Sequence, residues 1–322
     1  MKEVSDLEGK HVSVCLITYN HASFIRRAID GVLNQKISFS FELIIADDYS
    51  TDGTREILLE YKNRYPNVIH LLLQNRNVGP SQNWLDLITT PKSKYIAYFE
   101  GDDYWIDSSK LQVQFDALEN NEGFSLCTHN AITFVDGKKN LDYVNAGVRP
   151  VNTFNDVLMC NSFPSSSLFY RNNLLTSRDY RLLREALVGD WPLQLLLLRY
   201  GKMCYINNCY SVYNIHSGSS WAVSKQLVKI NNIIVIYHFF ISNMLINSEE
   251  IEIARNCIAG NYRAILSWKI DAGESLFFRD ILNVFKYSKI YQLNDLMLLV
   301  KSLVPSRLKR KFKYNMSFLV SK

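Results

Sequence analysis

The chain has little of what marks a disulfide-stabilised, zinc-binding or membrane-spanning protein. Its six cysteines are scattered, and no two of them form a CxxC pair, so neither a zinc site nor a disulfide framework is predicted. We expect reduced thiols, as in the cytoplasm. The longest apolar stretch, 233–241, is too short for the roughly 20 residues of a membrane-spanning helix. No charged-then-apolar leader opens the sequence, so we expect a cytoplasmic or peripheral protein.

A surplus of basic residues is also missing from the body of the chain. The formal net charge is +5, but residues 301–322 contain seven basic residues and no acidic one. Without those seven, 29 basic residues stand against 31 acidic ones, a net charge of −2. A nucleic-acid-binding domain would carry a basic face of its own, so we expect no nucleic-acid partner. With 48% hydrophobic residues, the chain can bury a full core.

Short apolar segments alternate with amphipathic helical segments over the first hundred residues. Strands are predicted at 12–18, 41–46, 68–73 and 95–99, with a helix after each of the first three. This alternation predicts the α/β class, with a central, mostly parallel sheet flanked by helices. Helical patterns return at 225–244, 249–269 and 293–304. We therefore expect an α/β domain at 1–222 and a helical C-terminal region with a basic tail at 223–322.

Polar and acidic side chains follow three of these strands. The strand ends are Tyr19-Asn20, Asp47-Asp48 and Glu100-Gly101-Asp102-Asp103. The carboxyl ends of parallel strands meet at one edge of a sheet, where open α/β sheets bind their ligands. Adjacent aspartates repel each other unless a cation or a donor neutralises them, which favours a divalent metal holding phosphate oxygens. A solvated turn is the alternative, because Gly-Asp is good turn chemistry.

These segments, taken in order, resemble the nucleotide-sugar motifs of the family-two inverting glycosyltransferases, of the bacterial polysaccharide type. The motifs are at 12–20, 46–54, 75–83 and 100–103, and the resemblance extends over about the first 220 residues. It implies that 1–222 form a GT-A-like, nucleotide-sugar-binding catalytic domain. It also implies a metal-dependent glycosyltransferase of the hexosyltransferase type that uses Mn²⁺ or Mg²⁺. The implied reaction moves a sugar, with inversion, from a nucleotide-diphosphate donor to a hydroxyl of a saccharide or lipid-linked saccharide. A UDP-sugar is the favoured donor, and assembly of a surface polysaccharide or glycan is the implied setting.

The resemblance also implies roles for single residues. By this resemblance, the donor-binding residues are Tyr19, Asp47, Asp48, Arg76 and Asp102. Asp103 is the implied metal ligand. Tyr19 would stack near the base and Asp48 would accept its imide N–H, while Arg76 would lie along the base or diphosphate. A carboxylate suits both an imide donor and a hard cation. The sequence departs from the family pattern at Tyr49, where a small residue is frequent, and at Ile17, where proline is frequent.

A second functional centre is predicted at 188–195. Its helix resembles the family helix whose aspartate is the general base, which makes Asp190 the predicted catalytic residue. Gly189 stands where the family often has glutamate. The alternative for Asp190 is a helix N-cap beside Pro192. Further along, His216 lies in a segment that resembles a loop closing over the diphosphate, where it would be a metal ligand or an ordinary surface histidine.

Two other functions remain compatible with such a sheet. A sugar nucleotidyltransferase would carry a glycine-rich loop with Arg or Lys after the first strand, where this chain has Thr18-Tyr19-Asn20-His21. A non-catalytic sugar-nucleotide-binding scaffold would keep the pocket around Asp48 and would tolerate the loss of Asp190.

The basic tail generates a testable hypothesis of peripheral membrane binding. Truncation before Lys301 should reduce sedimentation with anionic vesicles, because each basic residue near such a surface contributes about 1 kcal/mol. Donor hydrolysis in solution should stay nearly unchanged. Equal sedimentation of the full and truncated chains would mean that the tail is only a solvated end.

Overall fold

The structure is a computed structural model that describes residues 11–135, 138–143, 148–186, 189–218, 226–243, 246–272 and 278–287. The helical pattern predicted at 293–304 and the basic tail lie outside the described residues. The chain divides into two units, Met1–Val223 and Ser224–Lys322. The assignment of a glycosyltransferase catalytic domain to 1–222, followed by a helical region with a basic tail at 223–322, stays a prediction.

The first unit is an α/β structure built on a ten-stranded sheet. Its opening elements are β1 (Val12–Thr18), α1 (Ile25–Leu33), β2 (Phe41–Asp47), α2 (Thr54–Arg64), β3 (Ile69–Leu73), α3 (Pro80–Thr89) and β4 (Tyr95–Glu100). The strands lie in the order β3-β2-β1-β4 and are parallel. Both faces of β1 and β2 are buried, which explains why these strands are continuous apolar runs in the sequence. The predicted α/β class is confirmed.

After β4 the sheet becomes mixed. The elements that follow are β5 (Tyr104–Trp105), α4 (Lys110–Glu119), β6 (Phe124–Val135), β7 (Lys138–Asp142), β8 (Val151–Asn152), α5 (Phe154–Met159), β9 (Phe169–Arg171), α6 (Ser177–Glu185), α7 (Asp190–Leu197) and β10 (Lys202–Ile215). Strand β9 joins β4 to β6 through antiparallel pairs, and β10 runs parallel to β6. Residues 213–215, predicted to belong to a loop, are the end of β10 instead.

The short strand β5 has a large effect on the position of the acidic motif. It pairs antiparallel with β10, with Trp105 opposite Ser211 and Tyr104 opposite Val212. Because β5 begins directly after 100–103, this pairing brings the acidic motif beside the end of β10.

The core of the first unit packs α1 against the parallel strands. The residues of α1 that are buried are Ile25, Ala28, Ile29 and Val32, which is the apolar stripe that the helical period places on one face. They join a cluster of fully buried strand residues that includes Val14, Leu43 and Phe99. This packing makes the sheet a rigid support for the loops at its carboxyl edge.

The second unit, where described, is helical. It contains α8 (Gln226–Ser242), α9 (Ser248–Ala272) and α10 (Phe278–Tyr287), and both α8 and α10 contact α9. The predicted helices at 225–244 and 249–269 are confirmed, whereas α10 was not predicted. Of the helices described, none has the length and apolar character needed to cross a membrane.

Candidate functional site

The candidate site is formed where three parallel strands end side by side. In the register of β1, Ile17 lies opposite Ala46 of β2 on one side and opposite Glu100 of β4 on the other. The loops that carry Tyr19, Asp48 and Asp102 therefore start at the same edge of the sheet. This is the convergence that the alternation of strands and helices predicts.

The aspartate pair after β2 holds the surrounding loops together. The fully buried Asp47 carboxylate pairs with Nε of Arg55 at 2.5 Å. The two oxygens of Asp48 accept the backbone N–H groups of Val78, at 2.7 Å, and Gly79, at 3.0 Å. Both aspartates thus have a structural role that the sequence did not indicate, and their donor contacts stay a prediction.

The residues predicted to meet the base lie at the surface near this pair. Tyr19 is 45% exposed and Tyr49 is 44% exposed, and Arg76 is also exposed. Tyr49 has a positive φ of 64°, which is uncommon for a residue other than glycine. Its ring lies 4.9 Å from the guanidinium of Arg55. The departure from the family pattern at Tyr49 therefore places an exposed ring at the rim of the site.

The acidic motif after β4 crowds carboxyl groups into a buried place. Asp103 is 2% exposed, and its Oδ1 accepts the N–H of Asn214 at 2.9 Å. Burial raises the pKa of the Asp103 carboxyl well above its usual range, and the neighbouring Asp102 and Glu100 raise it further. Burial, with Asp102 and Asp190 nearby, raises the pKa of Glu100 to about 8. Glu100 was missed as a site residue because a glutamate that ends a strand shows no sign of burial in the sequence.

Two oxygens in this motif are buried and have no hydrogen-bond partner: Oδ1 of Asp102 and Oδ2 of Asp103. Buried polar atoms are nearly always paired, and an unpaired one in a site indicates a missing ligand or ion. Acidic oxygens of this kind suit a hard divalent cation. In the described part of the chain, however, no cluster of three or more His, Cys, Asp and Glu side chains is arranged to hold a metal.

The predicted metal ligand His216 contacts Asp102. Its Nε2 lies 3.1 Å from Oδ2 of Asp102, and its Nδ1 accepts the N–H of Gly218 at 3.1 Å. Because Nδ1 accepts, the neutral ring carries its proton on Nε2 and donates it to the carboxylate. The ring also packs on Phe24, with centroids 4.4 Å apart. His216 thus reaches the acidic motif, while its role as a ligand stays a prediction.

A second histidine approaches the same carboxylate and was not predicted. Nε2 of His21, in the loop after β1, is 4.0 Å from Oδ2 of Asp102. Burial lowers the pKa of His21, and the nearby Asp102 opposes that shift. A methyl group added to Gly101 would lie 3.0 Å from Nδ1 of His21, so the glycine lets the histidine lie against the acidic turn.

The second predicted centre lies next to the first. Asp190 is the first residue of α7, and Gly189 occupies the N-cap position, so the alternative that Asp190 is the N-cap is wrong. Burial raises the pKa of the half-buried Asp190 carboxyl, and hydrogen bonds from the Trp191 backbone and the Asn161 side chain oppose that shift. The charge of Asp190 acts on Glu100. The two motifs, about 90 residues apart in sequence, therefore lie within electrostatic range of each other.

Packing explains why glycine precedes Asp190. A methyl group on Gly189 would lie 2.8 Å from carbons of the Trp84 indole, far inside van der Waals contact. Trp84 is itself 5% exposed. The glutamate that is frequent at this position in the family therefore has no room here beside the Trp84 ring.

Comparison with protein families agrees with this geometry. Residues 13–184, more than half of the chain, match the family model described as glycosyl transferase family 2. The chain belongs to this family. The resemblance found in the sequence motifs is confirmed.

Curated relatives of this family 2 member include a protein named for teichoic acid biosynthesis. An uncharacterized protein of Mycobacterium tuberculosis is 31% identical over 211 residues, which are 65% of this chain and 60% of that protein. The minor teichoic acid biosynthesis protein GgaA of Bacillus subtilis is 29% identical over 171 residues, 51% of this chain and 38% of GgaA. The chain thus spans less than two thirds of the length of these relatives.

Solved structures show the same fold. TarS 1-349 of S. aureus in complex with UDP-GlcNAc has a TM-score of 0.56 at 14% identity, with 94% of this chain and 92% of that chain covered. The mannosyltransferase PcManGT from Pyrobaculum calidifontis, in complex with GDP-Man and Mn²⁺, has a TM-score of 0.54 at 12% identity. The match covers 94% of this chain and 87% of that chain. At these identities the likeness shows the fold, and the predicted GT-A-like fold is confirmed.

The contact between Gly189 and Trp84 is testable by one substitution. Gly189→Ala should lower the free energy of unfolding by about 1–3 kcal/mol, because an added methyl in a packed site forces side chains or backbone to move. Urea denaturation measures the change. Gly260→Ala in α9 is the matched control, since nothing lies within 4 Å of the added methyl; it should stabilise by up to about 1 kcal/mol. Equal behaviour of the two variants would refute the packing argument.

Proposed function

We propose that this chain is an inverting, metal-dependent glycosyltransferase that moves a sugar from a nucleoside-diphosphate donor to an acceptor hydroxyl. The observation that carries the proposal is the cluster at the sheet edge, where unpaired oxygens of Asp102 and Asp103 lie in the same site as Asp190. The family match and the donors bound by TarS and PcManGT support it. A saccharide or lipid-linked saccharide of a surface polymer fits the relationship to GgaA.

The metal would be held by Asp103 with Asp102 beside it. Their buried, unpartnered oxygens are the donor type that Mn²⁺ and Mg²⁺ bind. When bound, the cation would neutralise charge on the departing diphosphate. Since the described residues hold no three-ligand cluster, oxygens of the donor would complete the coordination. His216 orients Asp102 in the structure, and it would ligate the metal only by giving up that hydrogen bond.

The donor would lie over the ends of β1 and β2. We propose that Tyr19 stacks near the base, while the Arg76 guanidinium attracts the diphosphate. A carboxylate has about four acceptor sites, so Asp48 can accept a base N–H and still hold Val78 and Gly79. Asp47 would contribute to donor binding indirectly, because its carboxylate fixes the Arg55 side chain in place. A UDP-sugar is the favoured donor.

Asp190 would serve as the general base. Burial raises the pKa of its carboxyl, and a base works best when its pKa approaches the working pH. The acceptor oxygen would bond to the anomeric carbon as its proton moves to Asp190. The bond from that carbon to the diphosphate oxygen would break on the opposite face, which inverts the anomer.

Replacement of the base tests this assignment. Asp190→Asn should slow single-turnover transfer by about 10²- to 10⁴-fold, the usual contribution of a positioned base. The dissociation constant for the donor should change by less than about threefold, because Asp190 would face the acceptor. Asp179→Asn is the matched control: that buried aspartate caps α6 through Thr176, so it should cost stability and leave the rate unchanged.

Transfer at the wild-type rate in Asp190→Asn would place the base elsewhere, and a collapse of donor affinity would place Asp190 in the donor site.

Analysis of the reaction products distinguishes glycosyl transfer from the two other functions. Release of nucleoside diphosphate agrees with transfer, whereas pyrophosphate would indicate a nucleotidyltransferase, and binding without turnover would indicate a scaffold. Association of the tail with an anionic cytoplasmic membrane face remains part of the proposal, tested by the vesicle experiment above.

A further inference from the structure

A tyrosine in the loop after β2 has a backbone conformation that tyrosine rarely adopts. In the described part of the chain, the residues other than glycine with a positive φ are Asn20 at 54°, Tyr49 at 64° and Asn173 at 64°. Asparagine tolerates this region because its short side chain can hydrogen-bond locally, whereas a bulky residue there is strained. Such strain is concentrated at functional sites. The choice of tyrosine here therefore indicates a role for the ring outside folding.

The ring of Tyr49 is exposed and yet fixed. The residue is 44% exposed, and the guanidinium of Arg55 lies over one face of the ring, 4.9 Å from its centroid. Arg55 is itself held by two acceptors: its Nε donates to Asp47 at 2.5 Å, and its terminal nitrogen donates to the carbonyl oxygen of Gln74. A cation over an aromatic face attracts the ring. Since Arg55 covers one face, the exposed surface lies on the other face and the ring edge.

The loop after β1 supports the same rim of the site. The backbone N–H of Asn20 donates to the Ser50 hydroxyl at 2.8 Å, and Oδ1 of Asn20 accepts the N–H of Thr51 at 2.9 Å. These bonds join the residue after Tyr19 to the two residues after Tyr49. The two exposed tyrosines therefore lie on adjacent loops that are hydrogen-bonded to each other.

The position of Tyr49 in the sheet indicates which part of a donor it would meet. The strand order is β3-β2-β1-β4, so the loop after β2 lies two strands, roughly 10 Å, from the acidic motif after β4. A donor whose diphosphate lies at the acidic motif would extend its nucleoside toward the loop of Tyr49. Nucleobases stack on aromatic rings whatever their hydrogen-bonding pattern, because every base has a π-face.

We propose that Tyr49 is a base-stacking residue, and that the nucleobase of the donor packs on the ring face turned away from Arg55. The chain keeps a strained backbone at Tyr49 because the ring contributes to ligand affinity. This inference rests on the donor role in the proposed function. It adds a residue to the base site at a position where the family frequently has a small one.

Substitution by asparagine separates a role in binding from a role in folding. Tyr49→Asn removes the ring and places at this φ a residue type that tolerates it, as at Asn20 and Asn173. The melting temperature should therefore equal or exceed that of the wild type. Nucleotide affinity should fall by about 5- to 150-fold, the range expected for the loss of a base-stacking ring. Tyr49→Phe keeps the ring and should bind within about twofold of the wild type.

The measurement is calorimetric titration of the full chain with UDP and with GDP in saturating Mn²⁺, beside thermal unfolding followed by circular dichroism. The variants are compared with whichever nucleotide binds the wild type more tightly, because stacking does not depend on the base that the site selects. Tyr65→Asn is the matched control. Tyr65 is 36% exposed and lies at the C-terminal end of α2, whereas Tyr49 precedes the N-terminal end. This control should leave nucleotide affinity within about twofold of the wild type.

Wild-type nucleotide affinity in Tyr49→Asn would overturn the inference and leave the proposed function intact. Equal weakening in Tyr49→Phe and Tyr49→Asn would overturn it as well, because the hydroxyl and not the ring would then make the contact. A clear fall in the melting temperature of Tyr49→Asn, or its failure to fold, would mean that the ring is kept for stability and would also overturn it. Absence of UDP and GDP binding by the wild-type chain would be a different failure, because it would remove the nucleotide donor from the proposed function and the inference with it.

Discussion

The carboxyl groups of Glu100, Asp102 and Asp103 crowd the carboxyl end of β4, and most of the local structure follows from that crowding. Asp190 of α7 adds its charge nearby. Like charges at short range in a medium of low polarity cannot all stay ionised. Burial is the largest cause of the raised pKa values of Glu100 and Asp103, and repulsion from the neighbouring carboxylates raises both further. A bound cation would relieve it, and a sugar donor carries the phosphate oxygens that would share that cation. The folded chain is thus destabilised by the buried carboxylates at this edge, and binding of the cation and the donor would offset that destabilisation.

The scaffold that maintains this edge is built from packing and hydrogen bonds on all sides. Parallel strands with buried faces fix where the loops begin. Asp47 and Asp48 use their oxygens to hold neighbouring loops. In the acidic motif, His216 hydrogen-bonds Asp102 and the N–H of Asn214 hydrogen-bonds Asp103. Charged side chains here are oriented before any ligand arrives, which is the condition for electrostatic stabilisation of a departing group.

Much of the parallel half of the fold could be predicted from local patterns in the sequence. Residues 12–18 and 41–46 are buried on both faces, so their apolar runs are continuous and easily read as strands. The polar residues that follow them had to meet at one edge once the sheet was parallel. Strand β10 was missed because its pairing with β6 shifts register between Ile206 and Cys209, where Asn207 and Asn208 interrupt the apolar pattern.

The site was predicted less completely, since its missing parts depend on contacts between distant segments. His21 follows a strand as a turn residue would, yet it lies near Asp102. Gly189 departs from the family pattern for a reason found more than a hundred residues away in sequence, in the ring of Trp84.

The central claim is that this acidic edge binds a divalent cation together with the donor diphosphate. Calorimetric titration of Mn²⁺ into the wild-type chain, with and without saturating UDP, tests it most directly. Because the described residues supply fewer than three metal ligands in one cluster, phosphate oxygens of UDP would complete the ligand set, and we predict Mn²⁺ binding at least about tenfold tighter with UDP than without it. By linkage, Mn²⁺ would raise the affinity for UDP by the same factor. Equal Mn²⁺ affinity in both titrations, or no binding in either, would contradict the account.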